Sequence, residues 1–269
     1  MPHAEINGQN IYFEDTGGSG PAVILSHGFL MDHEMFAPQV EALRDEYRVV
    51  TWDERGFGST TSDGRPFDYW DSARDCIGLL DHLGIDQAVF GGMSQGGWIS
   101  MRAALLAPDR VRALVLLDTN AALDDGEKRS GNEAMIHIWL KDGPVDDLTA
   151  VVASIIVDDP VENPKWIAKW QARDKSLMEL PARCMMDRDD ISSRLAEITC
   201  PALAVHGTED TGLSMEDAEQ MAASLPGCGD VVKVSGAHAA NLTNPEPVNA
   251  AIVEFLAGLP SQTPALQAR

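Results

Sequence analysis

The stretch Gly92-Met93-Ser94-Gln95-Gly96 lies directly between an apolar run, Gln87-Ala88-Val89-Phe90, and a helix-like run from Trp98 to Leu106. A chain that passes from strand to helix through so short a turn bends sharply, and the serine at the bend takes a strained backbone conformation. Side chains two residues before and two after the serine would clash, and Gly92 and Gly96 remove them. The Ser94 hydroxyl can then stand clear of the sheet, at a helix N-terminus whose dipole favours negative charge. Such a turn demands a buried strand, a helix behind it and an open sheet edge, which narrows the fold before any other residue is considered.

The rest of the chain supplies those parts. Ala4–Ile6 and Asn10–Glu14, separated by Asn7-Gly8-Gln9, read as an N-terminal hairpin. Pro21–Ser26, Tyr47–Trp52 and Val111–Leu117 are apolar runs suited to strands buried on both faces. Residues 68–83 carry Ala73, Ile77, Leu80 and Leu83 on one helical face, closed by Gly84. Strands alternating with helices of this length indicate βαβ units and a parallel sheet. The alternation breaks after Asp118 and resumes at Pro201–His206. The stretch 119–200 is too long for a loop and holds helix-like segments near 128–141, 145–157, 162–175 and 190–196, with no convincing strand. It reads as a helical insertion after the sixth of eight strands. A helix over 214–224, a strand over 230–234 and a helix over 246–257 close the core, which comprises 1–118 and 201–258, and 259–269 reads as a flexible tail.

Composition removes several function classes. The 42 acidic against 20 basic residues give a formal charge of −22, unsuited to nucleic acid or to anionic membranes. No apolar run approaches the roughly 18 residues of a membrane span, and the first residues lack the basic and apolar regions of a secretory signal, so a cytoplasmic protein, or a mature chain whose leader is absent, is expected. Cys76, Cys184, Cys200 and Cys228 are widely spread and read as buried packers, not as a disulfide frame or zinc site.

An exposed serine needs a base to become a nucleophile, and histidine has the suitable pKa. Among seven histidines, His238 stands out in the small-residue loop Ser235-Gly236-Ala237-His238-Ala239-Ala240-Asn241 after the last strand. A third group must hold the imidazole in one tautomer. Asp210, in Gly207-Thr208-Glu209-Asp210-Thr211-Gly212, follows the strand ending at His206 and so shares the carboxyl edge of the sheet, where open α/β sheets bind ligands.

His27-Gly28-Phe29, Asp53-Glu54-Arg55-Gly56-Phe57-Gly58-Ser59, the Ser94 turn, His206–Asp210 and Gly236-Ala237-His238 together resemble the α/β-hydrolase superfamily over about residues 4–257. The order Ser, Asp, His also fits. The resemblance implies an α/β-hydrolase fold, a mostly parallel eight-stranded sheet flanked by helices, with 119–200 similar to a helical cap that roofs the pocket. It implies Ser94, Asp210 and His238 as catalytic residues, the backbone N–H groups of Phe29 and Gln95 as oxyanion donors, and neither metal nor organic cofactor. Asp118, ending the sixth strand, is the alternate acid, since some relatives place it there. His27 would brace the oxyanion loop, His206 would pack below the acid loop, and Asp53, Arg55 and Ser59 would form a structural network. Two positions depart from relatives: Phe29-Leu30 stands where epoxide hydrolases and dehalogenases often carry proline, and Gly-Ala-His replaces the more usual Gly-Gly-His.

Within the insertion, Met135, Trp139, Trp166, Trp170, Met178, Met185 and Met186 supply large, adaptable apolar surface. Trp166 and Trp170 share a helix face. These residues either seal the insertion against the core or line a pocket, and Leu30, Trp139, Trp166, Trp170 and Met178 are the expected lining. The expected activity is that of a serine hydrolase on a small to medium apolar ester or lactone. A C–C bond hydrolase, a cofactor-free perhydrolase or haloperoxidase, and a ligand receptor with residual hydrolase activity are the alternatives.

Overall fold

A computed structural model describes residues 2–124 and 126–260. In chain order its elements are β1 (His3–Ile6), β2 (Gln9–Asp15), β3 (Ala22–Ser26), α1 (Ala37–Leu43), β4 (Arg48–Trp52), α2 (Tyr69–His82), β5 (Ala88–Met93), α3 (Gln95–Leu106) and β6 (Val111–Leu117). Then come α4 (Gly126–Asp142), α5 (Asp146–Ile156), α6 (Glu162–Ala172), α7 (Glu179–Met186), β7 (Ala202–Gly207), α8 (Met215–Ser224), β8 (Val232–Val234), α9 (Ala240–Thr243) and α10 (Pro245–Ala257). The eight strands form one sheet in the order β1-β2-β4-β3-β5-β6-β7-β8. Only the β1–β2 and β2–β4 pairings are antiparallel. This is the α/β architecture that the alternation of runs predicts.

The central strands are apolar because both faces are covered. All of β3 and β5 is buried, and so is β6 apart from Arg112. Gly91 and Gly92 in β5 let neighbours approach: a Cβ at Gly91 would lie 2.6 Å from Leu25, and one at Gly92 would overlap the Gly96 carbonyl group at the start of α3. The chain runs from β3 outward to β4 on one side and returns to β5 on the other, so the sheet changes direction at β3. Ligands bind outside the strand ends at such a crossing, and both His27-Gly28-Phe29 and Ser94 leave the sheet there.

Between β6 and β7 the described residues form helices and turns without a strand. The segment includes α7, which the sequence periodicity does not reveal because it is short and begins with Glu179-Leu180-Pro181. Buried and half-buried polar ties anchor the segment to the core. The buried Arg102 of α3 lies against the Tyr69 and Trp70 rings and donates 2.7 Å hydrogen bonds to the Asp189 carbonyl and carboxylate. Lys169 of α6 bridges Asp32 and Glu34 at 2.7 and 2.8 Å. Of the expected tail, Leu259 packs against the core and the Pro260 carbonyl accepts from Arg112, while 261–269 lie outside the described residues. No helix among the described residues is long and apolar enough to cross a membrane.

Candidate active site

Ser94 sits between β5 and α3 with φ +53°, in the left-handed region that a non-glycine residue enters only when its surroundings force it. The forces are visible. Its N–H donates to the Leu117 carbonyl at 2.9 Å, and its carbonyl accepts from Thr119 Oγ1 at 2.7 Å and from Gly97 N at 2.9 Å. The glycines allow close approach: a Cβ at Gly96 would overlap the Ser26 carbonyl oxygen, and one at Gly97 would lie 2.5 Å from the Thr119 side chain. The Ser94 hydroxyl does not cap α3, so the serine is not spent on closing the helix.

His238 lies in the loop between β8 and α9, with Ala237 and Ala239 buried beside it. Its Nδ1 donates to Asp210 Oδ2 at 2.7 Å. Asp210 Oδ1 accepts from Gly212 N at 2.7 Å and from Leu213 N at 3.0 Å. Burial would raise the Asp210 carboxyl. The charge and hydrogen bond of His238, the Leu213 N–H and His206 outweigh it and hold the group below the usual carboxylate range. An ionised carboxylate only accepts, so Nδ1 carries a proton, and in the neutral imidazole Nε2 is then the nitrogen with the lone pair. The acid and histidine loops are also tied directly, since the Gly236 N–H donates to the Glu209 carboxylate.

Asp118, the alternate acid, is placed differently. It follows the last residue of β6 with φ +44° and accepts the Gly207 N–H at 2.7 Å. Burial and the nearby Asp210 charge push its carboxyl well above the ordinary value, which disfavours the charged form that orients an imidazole.

The loop after β3 is braced by His27. Its Nε2 accepts the Glu54 N–H at 3.0 Å, which puts the ring proton on Nδ1, and Nδ1 donates to the Gly28 carbonyl at 2.8 Å. Burial lowers the His27 pKa, which suits a neutral ring. Leu30 follows with φ +67°, and its carbonyl accepts from Trp170 Nε1 at 2.7 Å. Among the described residues, neither the Phe29 nor the Gln95 N–H has a hydrogen-bond acceptor in the protein. The Gln95 side chain is held through Oε1 by the Tyr69 hydroxyl at 3.1 Å, a contact with no signature in the sequence.

A cavity of about 120 Å³ opens over this edge. Ser94 and His238 line it together with Phe29, Met93 and Trp98 from the core. Lys128, Asn132 and Met135 of α4, Val152, Ile155 and Ile156 of α5, and Met185 of α7 form the opposite wall. Ser94 and His238 are 6% and 7% exposed, so both sit below the bulk solvent.

Of the five expected lining residues, only Leu30 reaches this cavity. Trp139, Trp170 and Met178 line a separate cavity of about 20 Å³ with Gly56 and Phe57, and Trp166 lines a surface groove beside Lys165 and Lys169. The reason is the position of α6, whose Trp170 hydrogen-bonds the Leu30 carbonyl and whose Lys169 engages Asp32 and Glu34. It therefore packs on the outer side of the loop after β3, and the tryptophans seal that contact. The wall facing Ser94 comes from α4 and α5 instead. The signal in the sequence is the apolar face Val152, Ile155, Ile156, indistinguishable there from ordinary core.

Two clusters among the described residues bring three donor atoms within 4.8 Å of one another, Asp32–His33–Asp53 and Asp118–His206–Asp210. In both, the donors are engaged by hydrogen bonds within the protein.

Residues 21–245 match the family model of the α/β-hydrolase fold. The chain belongs to the α/β-hydrolase family. This α/β-hydrolase is 29% identical to a thermophilic esterase from Thermogutta terrifontis, with a TM-score of 0.86 over 97% of this chain and 98% of that one. It is 25% identical to the enol-lactonase of Burkholderia xenovorans, also with a TM-score of 0.86, over 95% of this chain and 100% of that one. RutD of Azorhizobium caulinodans, provisionally named a carbamate hydrolase, is 28% identical over 95% of this chain and 98% of its own length. The α/β-hydrolase described here is accordingly a hydrolytic enzyme.

Proposed function

We propose that this enzyme is a serine hydrolase acting on a small, largely apolar carboxylic ester or lactone through an acyl-enzyme. One observation carries the reading: Ser94 and His238 face a single cavity, while His238 Nδ1 is held at 2.7 Å by an ionised Asp210. Ser94 attacks the carbonyl carbon as His238 Nε2 takes its proton. Asp210 keeps the tautomer and stabilises the imidazolium. The N–H groups of Phe29 and Gln95 hold the oxyanion, with the α3 dipole behind them. His238 returns the proton to the leaving alkoxide, then activates the water that releases the acid and regenerates the serine.

The cavity supports the word small. About 120 Å³ is slightly below the roughly 150 Å³ of an engineered cavity that accepts benzene. Most of its wall is apolar, which favours substrates with short hydrocarbon acyl groups. Esterase and enol-lactonase names among similar structures support the same bond class.

The test is an activity screen across ester acyl lengths, lactone ring sizes and a carbamate, with Ser94→Ala as control. We expect turnover of short-chain substrates and a loss of at least about 10³-fold in kcat for a folded Ser94→Ala. Undiminished turnover in that variant overturns the serine mechanism. Products from a dienoate and from an acetate–peroxide mixture separate C–C hydrolysis and perhydrolysis from ester cleavage.

A further inference from the structure

Asp210 Oδ2 faces two imidazoles. Besides His238 at 2.7 Å, His206 Nε2 lies 3.3 Å away. His206 is the next-to-last residue of β7 and is 1% exposed. The same Nε2 lies 3.1 Å from the Leu213 carbonyl. A carbonyl and an ionised carboxylate both accept only, so the ring proton sits on Nε2 and its N–H is shared between them. Leu213 closes the circuit, because its own N–H donates to Asp210 Oδ1. His206 Nδ1 is then a buried lone pair with no partner among the described residues. An unsatisfied buried nitrogen is costly, and an aliphatic residue would fill this strand position without it. Packing alone therefore does not account for an imidazole here.

The titratable and charged groups facing His206 are Asp210 and His238 on the adjoining loops, Asp118 at the end of β6, and Asp217 on α8. Burial lowers the His206 pKa, offset in part by Asp210, so the ring is neutral near pH 7.

We propose that His206 is a positioning residue for the Ser94 reaction: its Nε2–H, divided between Leu213 O and Asp210 Oδ2, holds the Asp210 carboxylate in line with His238 Nδ1 and draws charge from the oxygen that His238 uses. The proposal rests on the serine-hydrolase reading above. Without that donor the loop carrying Asp210 loses one of its anchors, and the charge on Oδ2 falls on His238 alone. His238 then holds its proton more tightly, and the fraction able to act as base at a given pH shrinks.

The experiment compares His206→Leu, His206→Gln and Ser94→Ala in the full chain, using the best short-chain ester and following kcat, KM and the pH profile of kcat/KM from about pH 5 to 9. His206→Leu is expected to lower kcat about 10-fold with KM within about twofold, and to move the acid limb up by about half a unit. Glutamine can present an amide N–H near the place of Nε2, so His206→Gln is expected to recover most of both effects. A folded His206→Leu with unchanged kcat and an unmoved acid limb overturns the proposal. So does a fall in kcat with no shift of the limb and no rescue by glutamine, which marks a structural role. If His206→Leu does not fold, His206→Gln against His206→Asn, which differ in the reach of the amide, gives the same decision. Retained activity in Ser94→Ala overturns the underlying reading and the proposal with it, whereas an inactive Ser94→Ala beside an unaffected His206→Leu overturns the proposal alone.

Discussion

Among the described residues, two histidines meet a buried aspartate through Nδ1 at the same distance. His238 Nδ1 meets Asp210 Oδ2 at 2.7 Å, and His33 Nδ1 meets Asp53 Oδ1 at 2.7 Å. In both, burial raises the carboxyl and the histidine partner reverses the effect, so both aspartates lie below the usual range. What differs is the far side of the imidazole. His238 faces a cavity that also exposes Ser94, whereas His33 Nε2 faces the Glu14 carboxylate at 3.7 Å and Tyr12 packs on its ring. Asp53 accepts in addition from the N–H groups of His33 and Ser59, and so knots the loop after β4 to the turn that follows β3. A paired imidazole is therefore an element of structure by default. A hydroxyl and a cavity beyond Nε2 are what make the His238–Asp210 pair a candidate for chemistry.

Exchanging one atom in each aspartate is the strongest way to break this comparison. Asp210→Asn is expected to cost about 10³–10⁴ in kcat with the fold retained, because the amide can favour the wrong imidazole tautomer. Asp53→Asn is expected to leave kcat within about threefold of the parent and to lower stability by about 2–4 kcal/mol, since an amide hydrogen is forced against N–H donors in a buried site. Kinetics and denaturant melts on the two variants check this, and a large kcat loss in Asp53→Asn would erase the distinction.

A third carboxylate sharpens it. Glu54 follows Asp53 but has no imidazole partner: its Oε1 accepts from Ser72 Oγ at 2.5 Å and its Oε2 has no partner among the described residues. Burial, aided by the nearby Asp75, pushes its pKa up to about 8. A carboxyl raised in the folded state contributes stability that is complete below its unfolded value of about 4.3 and is lost as pH rises through about 8. The parent should lose up to about 1.4 kcal/mol per pH unit across that window. Glu54→Gln should flatten the slope and be the more stable protein above pH 8. Parallel stability curves for parent and variant would refute this.

The smallest effect belongs to His33. Burial lowers its pKa, but the hydrogen bond and charge of Asp53, followed by Asp32 and Glu14, raise it overall. Its contribution is complete below about pH 6.5 and disappears as pH rises through the folded value. His33→Gln should therefore cost about 1 kcal/mol near pH 6 and progressively less toward pH 9, with kcat unchanged. Thermal melts across that range decide it.

Much of this arrangement is legible in residue order, for identifiable reasons. The runs that become β3 to β6 are apolar because both faces are covered, and a run of that kind needs no partner to be recognised. The strain at Ser94 is local, set by glycines two residues away. His27 is readable as a brace of the loop after β3, whereas His206 reads only as a packing residue below the acid loop. By contrast, Trp139, Trp166, Trp170 and Met178 were misplaced as cavity lining. A helix declares its apolar face in sequence but not what that face meets, and one contact of α6, Trp170 with the Leu30 carbonyl, decides the matter. The Tyr69–Gln95 bond joins α2 to α3 through residues with no shared pattern.

By itself, then, the sequence determined the sheet, the strained serine at its edge and the loops from which a base and an acid could come, because these follow from periodicity and short-range sterics. Only the tertiary structure decided that Asp210 and not Asp118 meets His238, and that α4 and α5 face Ser94 while α6 turns away. It also set a neutral His206 against Asp210. Those outcomes depend on distances between segments far apart in the chain and on the loss of water around them, which fixes both the partners and the charge each carries.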